Sequence, residues 1–321
     1  MKVAILDDYQ DVVRGFAAYP KIAHHDVTVW NDHTDDIDLL ASRLADTEAL
    51  LLIRERTAVT EALLQRVPCL RLISQFGSVP HIDLAACTRH GVQVCSRTVP
   101  GQPSYATAEL TWGLILAAVR RIPQEMAALR SGSWQSRGAM GGLLHGRTLG
   151  VLGYGRIGGV VAGYGRAFGM KVQVWGREST LARAVSEGHE AAAGQEAFFA
   201  GCDVITLHLP LVPATRGIVT AKLLGKMKPD ALIVNTSRAG LIEPHALETA
   251  LRAGRPGLAA IDVFEAEPVS DVSHPLLTLP NVVATPHIGY VERSGLERMF
   301  DLMFEQVLAF ERGQAINLLN G

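Results

Sequence analysis

The stretch TLGVLGYGRIG, residues 148–158, followed by KVQVW at 171–175, constrains this chain more than any other feature. A β-rich run that ends in GYG needs a very tight backbone turn, and the residues after it read as a helix leading back to a second strand. Gly153 permits the turn, Gly155 lets the backbone approach a pyrophosphate, and Gly158 lets the helix pack on the strand with its amino end toward the phosphates. GxGxxG alone is a weak sign, but flanked by these two strands it predicts a dinucleotide site, with Gly153, Gly155 and Gly158 as its floor. GYGR occurs again at 163–166, where the next glycine falls one place late, and there it reads as small residues inside a helix that packs closely on the sheet.

The rest of the chain repeats the alternation. KVAIL, DVTVW, ALLLI, LRLIS and VQVC read as strands, with helices such as DLLASRLAD between several of them; a second series runs TLGVLG, KVQVW, CDVITLH, ALIVN, LAAID and NVVAT. Such alternation predicts parallel sheets with helices on both faces. VPGQP at Val99–Pro103 marks a crossing, and one long apolar helix is expected over about 107–130. The tail SGLERMFDLMFEQVLAFERGQ reads as a helix with Leu302, Met303, Val307 and Phe310 at three and four spacing, packing back on the first domain. The expected fold is α/β: two Rossmann-like doubly wound parallel-sheet domains, a six-stranded nucleotide-binding domain (100–287) inserted in a discontinuous, flavodoxin-like first domain (1–99 and 288–321).

Composition narrows the function. With 48% hydrophobic and 19% charged residues, 321 residues suffice for two cores. Thirty basic against thirty-two acidic side chains, with no basic run, argue against nucleic acid and anionic membrane as partners. Cys69, Cys87, Cys95 and Cys202 never fall at CxxC spacing and have apolar neighbours, so they read as buried free thiols of a reducing compartment, with no disulfide and no metal. MKVAILDDYQ turns acidic too early for a signal peptide, and the longest apolar run, LTWGLILAAV (110–119), has about half the length a membrane span needs. A cytoplasmic location is the expectation.

Three polar residues stand just beyond strands of the second series: Arg238 after ALIVN, Glu267 after LAAID and His287 after NVVAT. In a doubly wound sheet those carboxyl ends line the ligand crevice. An imidazole can move a proton, a carboxylate can orient it, and a guanidinium can grip a carboxylate substrate. Each residue also has an ordinary reading, as a surface ion pair, a loop cap or a structural histidine.

NTSRAG (235–240), IDVFEAEP (261–268) and ATPHIGY (284–290), in that order behind GYGRIG and with FGSVPHID (76–83) ahead of it, resemble the D-2-hydroxyacid dehydrogenase family over nearly the whole chain. The resemblance implies reversible reduction of a 2-oxo acid to the D-hydroxy acid, with a substrate domain beside the nucleotide domain. It implies that Arg238 binds the carboxylate and 2-oxo group, that His287 donates the proton, and that Glu267 pairs with His287 and favours its protonated form. Asp262 matches the aspartate that receives the nicotinamide carboxamide, and Arg156 and Ile157 the residues whose backbone meets the pyrophosphate. Thr107, Leu209, Pro210, Thr236 and Ser237 resemble further cofactor contacts.

In the first domain, Gly77 and Ser78 match the loop whose amides hold the substrate carboxylate, although Pro80 and His81 replace the usual aspartate and asparagine. Arg54, in IRERT, is a candidate for the cleft or for an ion pair with Glu55 or Asp7. Trp134, in the SGSW that ends the long helix, is a candidate to cover the substrate pocket or to pack in the core. The long helix resembles the family's dimerisation arm, which implies a homodimer.

VQVWGRE (172–178) departs from the NAD pattern, because Gly176 stands where an acidic residue would hold the ribose hydroxyls. Gly176 leaves room for a 2′-phosphate and Arg177 can pair with it, so NADP is favoured over NAD. Glu178 either turns inward toward the ribose or starts the next helix as a solvated carboxylate. The leading reading is a reductase of a small 2-oxo acid of the glyoxylate or hydroxypyruvate type. D-3-phosphoglycerate dehydrogenase is the alternative within the family, disfavoured by the chain's end at Gly321. Formate dehydrogenase is disfavoured because glutamine is expected where Glu267 stands. From another class comes a dinucleotide-sensing protein like the corepressors that share this fold.

Overall fold

The structure is a computed structural model that describes residues 1–97, 105–137 and 140–321; the expected crossing at Val99–Pro103 lies outside the described residues. The chain divides into two compact units, Met1–Pro100 with Glu292–Gly321, and Gly101–Val291.

The first unit holds β1 (Lys2–Ile5), β2 (Asp26–Val29), β3 (Ala49–Leu52), β4 (Leu72–Phe76) and β5 (Gln93–Arg97), all parallel, in the order β2-β1-β3-β4-β5. A central strand of a parallel sheet is covered on both faces and therefore carries an unbroken apolar run; all four residues of β3, ALLL, are buried. The C-terminal helix Arg293–Glu311 packs on β4, burying Leu296, Met299, Phe300, Met303, Phe304 and Val307. Ser74 Oγ of β4 donates to Gln306 Oε1 at 2.6 Å inside this contact. Leu302 and Phe310 are only half-buried at the margin of that stripe.

The second unit holds β6 (Thr148–Leu152), β7 (Lys171–Trp175), β8 (Glu190–Ala191), β9 (Val204–Leu207), β10 (Leu232–Asn235), β11 (Leu258–Ile261) and β12 (Val282–Ala284). They form one parallel sheet in the order β12-β11-β10-β9-β6-β7-β8, with apolar clusters on its two faces. The expected six strands are corrected to seven, because β8 is a two-residue exposed edge too short to show a sequence pattern.

The long helix expected over 107–130 is corrected to two, Tyr105–Val119 and Ile122–Arg130, broken where Arg121 takes a left-handed φ of 55°. Pro123 is the cause: it lacks an N–H and its ring would strike the carbonyl four residues back, so it is accepted only in the first turn of a new helix. The second GYGR does lie inside a helix, Arg156–Ala167, and a Cβ on Gly165 would come within 2.6 Å of Leu149.

All four cysteines are free, but Cys69 is exposed, which corrects the reading of four buried thiols. Its neighbours Val67 and Leu70 turn into the core and leave Cys69 facing outward. Among the described residues no helix is long and apolar enough to cross a membrane.

Candidate active site

The strand order of the second sheet reverses direction between β6 and β9, and the fingerprint turn follows β6 there. Gly153 has φ +96°, and a Cβ on it would sit 2.7 Å from the His208 carbonyl oxygen. A Cβ on Gly158 would fall 2.2 Å from the Gly153 carbonyl oxygen, so the helix can approach the turn only because this residue is glycine. Gly155 caps the twelve-residue helix Arg156–Ala167 without any side-chain hydrogen bond, and open space lies where its Cβ would be. The first-turn amides, those of Arg156, Ile157 and Gly158 among them, are thus left without a side-chain acceptor at the positive end of a helix dipole. This cradle fits a pyrophosphate.

Gly176 follows β7, and a Cβ there would lie 3.8 Å from Gly153 Cα, which puts position 176 beside the cradle. Arg177 is the exposed N-cap and Glu178 the exposed first residue of the helix Glu178–Ser186. Of the two placements open to Glu178, the structure has the helix start, where a carboxylate is favoured by the dipole.

The edge formed by the ends of β10, β11 and β12 carries the three polar candidates. His287 follows β12 with φ +52°, and its Nδ1 lies 2.5 Å from Glu267 Oε2. Glu267 Oε1 accepts from the Phe264 amide at 2.9 Å, so the carboxylate both caps its loop and orients the imidazole. Arg238 is placed by the turn after β10: Asn235 Nδ2 donates to the Arg238 carbonyl at 2.9 Å, and the Ser237 amide donates to Asn235 Oδ1 at 3.0 Å.

Asp262, completely buried after β11, holds the His287 loop from both sides. Its Oδ1 accepts from Thr285 Oγ1 at 2.6 Å and from the Ile288 amide at 2.8 Å, while Oδ2 accepts from the Gly289 amide at 2.8 Å. Burial still pushes the Asp262 carboxyl above its usual pKa against these bonds. Thr107 Oγ1 donates to the Gly289 carbonyl at 2.8 Å and so ties the helix Tyr105–Val119 to the same loop.

Ser237 Oγ donates to the Leu209 carbonyl at 2.7 Å, and the Thr236 and Thr111 hydroxyls meet at 2.8 Å, which brings Leu209, Pro210, Thr236 and Ser237 to one stretch of this edge. Sequence reasoning missed the anchoring role of Thr285, Asn235 and Asp262. The available signal was a polar residue ending an apolar strand inside a motif already singled out.

In the first unit, Arg54 (φ +64°) follows β3 and Gly77 (φ +105°) follows β4; a Cβ on Gly77 would lie 4.0 Å from Arg54 Nη1. Ser78 Oγ donates to Glu55 Oε1 at 3.0 Å and its carbonyl accepts from Gln75 Nε2 at 2.8 Å. Trp134, in the second unit, is 80% exposed in the turn after the helix Ile122–Arg130, which corrects the core-packing alternative.

Comparison with known proteins follows the same lines. The family model described as "D-isomer specific 2-hydroxyacid dehydrogenase, NAD binding domain" matches residues 112–289. A D-3-phosphoglycerate dehydrogenase of Methanocaldococcus jannaschii is 39% identical over 285 residues, 88% of this chain and 53% of that protein. A glyoxylate reductase of Aeropyrum pernix is 36% identical over 309 residues, 92% of this chain and 90% of that one. The crystal structure of a phosphoglycerate oxidoreductase from Vibrio cholerae O395 superposes with a TM-score of 0.93 at 49% identity, covering 98% of this chain and 99% of the other. The chain spans about half the length of the Methanocaldococcus relative.

Proposed function

The chain belongs to the D-isomer specific 2-hydroxyacid dehydrogenase family, and on that premise we propose that it moves a hydride between a nicotinamide dinucleotide and a small 2-oxo or D-2-hydroxy acid. The observation that carries this reading is the 2.5 Å His287–Glu267 contact on the same sheet as the Gly153–Gly158 cradle. The bound dinucleotide supplies or accepts the hydride. His287 gives a proton to the carbonyl oxygen in reduction and takes it back in oxidation, with Glu267 at Nδ1 stabilising the charged ring. Arg238 offers a guanidinium fork to the substrate carboxylate. Asp262 holds the histidine loop and is also the candidate partner of the nicotinamide carboxamide.

Residues 100–287 serve as the dinucleotide domain in this reading, and 1–99 with 288–321 as the substrate domain, where Arg54, Gly77 and Ser78 meet the acid. The substrate is a small 2-oxo acid of the glyoxylate or hydroxypyruvate type; the likeness to phosphoglycerate enzymes supports D-3-phosphoglycerate as the second reading. NADP is the favoured cofactor, on the grounds of Gly176 and the exposed Arg177 at the end of β7. The protein works as a cytoplasmic homodimer. Ile122, Met126 and Leu129 share one exposed face of the helix Ile122–Arg130, near the exposed Trp134, and support self-association there; sedimentation of Leu129→Asp as an unchanged dimer would remove that face.

The deciding experiment mixes the protein with NADPH or NADH and a panel of glyoxylate, hydroxypyruvate and 3-phosphohydroxypyruvate. Oxidation of NADPH with the first two acids is expected. Preference for the phosphorylated acid selects the second reading, and tight cofactor binding without turnover on any acid selects a dinucleotide sensor.

A further inference from the structure

We propose that His24, His25 and Glu311 form a binding site for a divalent transition metal of the zinc class, joining the two chain segments of the first unit. They are the only group of three or more His, Cys, Asp or Glu side chains among the described residues whose ligand atoms all lie within 4.8 Å of one another. His24 Nε2 is 3.5 Å and His25 Nε2 3.8 Å from Glu311 Oε2, and the two rings lie 4.0 Å apart. Metal–nitrogen and metal–oxygen bonds of about 2.0–2.2 Å need gaps of this size between ligand atoms. Two imidazoles and one carboxylate, with water completing the shell, suit zinc and its neighbours and not magnesium or calcium.

Two independent observations point to a cation. The His25 side chain is only 2% exposed, yet its Nε2 makes no hydrogen bond, while Nδ1 sits 3.4 Å from the Met1 amino group. A buried nitrogen left unpaired is unfavourable, and a metal bond would satisfy it. The second observation is Glu311 itself. It is the last residue of the helix Arg293–Glu311, whose final turn has no basic residue, so a carboxylate adds to the negative end of the dipole where a cation is favoured.

The framework is already held. Lys21 Nζ pairs with Asp301 and Glu305 of the same helix at 2.5 and 2.6 Å, docking the segment that leads to His24. A metal bound to this site would add a third tie between residues far apart in sequence and stabilise the unit by mass action.

The test uses the full chain, stripped with EDTA and titrated with Zn²⁺ by calorimetry, beside His24→Ala and Glu311→Gln, which alter exposed side chains and spare the buried His25. One Zn²⁺ per chain is expected, with an affinity loss of at least about tenfold in each variant. Zn²⁺ should also raise the melting temperature of the unaltered protein and not of the variants. Absence of one-to-one binding, or equal affinity in all three proteins, overturns the site; equal affinity would move the metal elsewhere, for example to the exposed Cys69. Dehydrogenase turnover plays no part in the readout, so the outcome stands apart from that of the acid panel.

Discussion

The two sheets of this molecule are built alike and furnished oppositely where their strand order reverses. In the first, the reversal lies between β1 and β3, and side chains fill it: Asp7 Oδ1 meets His33 Nδ1 at 2.8 Å, and Asp7 Oδ2 accepts from Thr57 Oγ1 at 2.8 Å. In the second, between β6 and β9, glycines replace side chains and helix amides are left open. A parallel doubly wound sheet thus supplies a crevice without deciding its contents; the few residues after each strand do that.

Removing the proposed proton donor tests the second sheet most severely. His287→Ala is expected to lower kcat by about 10²–10⁴ while leaving the dinucleotide dissociation constant unchanged. Steady-state rates beside a fluorescence titration read both, and unchanged turnover takes His287 out of the reaction. Next in size, Gly158→Ala forces a methyl group against the Gly153 carbonyl and should weaken dinucleotide binding by about 10–100-fold through overpacking. Normal affinity in that variant would mean that the tight helix–turn contact is dispensable.

The two reversals should also respond to pH with opposite sign. Burial alone would depress His33, but its hydrogen bonds to Asp7 and Asp35, with their charges, outweigh it and hold the imidazole above its usual pKa. Its stabilisation is therefore complete below about pH 6.5, the unfolded value, and is lost as pH rises through the folded one. His208, just after β9, is pushed down to about 3 by burial and pairs in neutral form with Thr206 Oγ1 at 2.9 Å. It withdraws stability as pH falls from about 6.5 toward 3. His33→Gln should accordingly lose more melting temperature at about pH 5.5 than at about pH 8.5, and His208→Gln should show the reverse. Equal losses at both pH values would refute the contrast.

The smallest effect is expected at the rim of the cradle. Arg177→Ala should raise the KM for NADPH by about three- to tenfold and leave that for NADH alone, the worth of one exposed charge-assisted contact. An unmoved NADPH constant would reduce Gly176 to a relaxed NAD site.

Much of this was legible in the sequence because it is local. Strand, turn and helix around GYGRIG follow from residues within a dozen positions of one another, and NTSRAG and ATPHIGY sit beside their strands for the same reason. The long helix was misjudged because its apolar composition outweighed a single Pro123, whose steric veto acts on a backbone four residues earlier. β8 could not be read, since two exposed residues have no period. Nor could the clasp of Asp262 on Thr285, Ile288 and Gly289, which joins positions more than twenty apart through a sheet register that no local pattern states. His24 and His25 are separated from Glu311 by almost the whole chain, and only the docked C-terminal helix makes them neighbours.

That clasp has a consequence for how well the imidazole is aimed. A residue on a loop ordinarily inherits the loop's wander, yet here the bonds at 285, 288 and 289 all run to one buried carboxylate at the tip of β11. The positional uncertainty of His287 is thereby set by the stiffness of a strand paired on both sides, so the proposed proton donor keeps its bearing through thermal fluctuations that displace the surface around it.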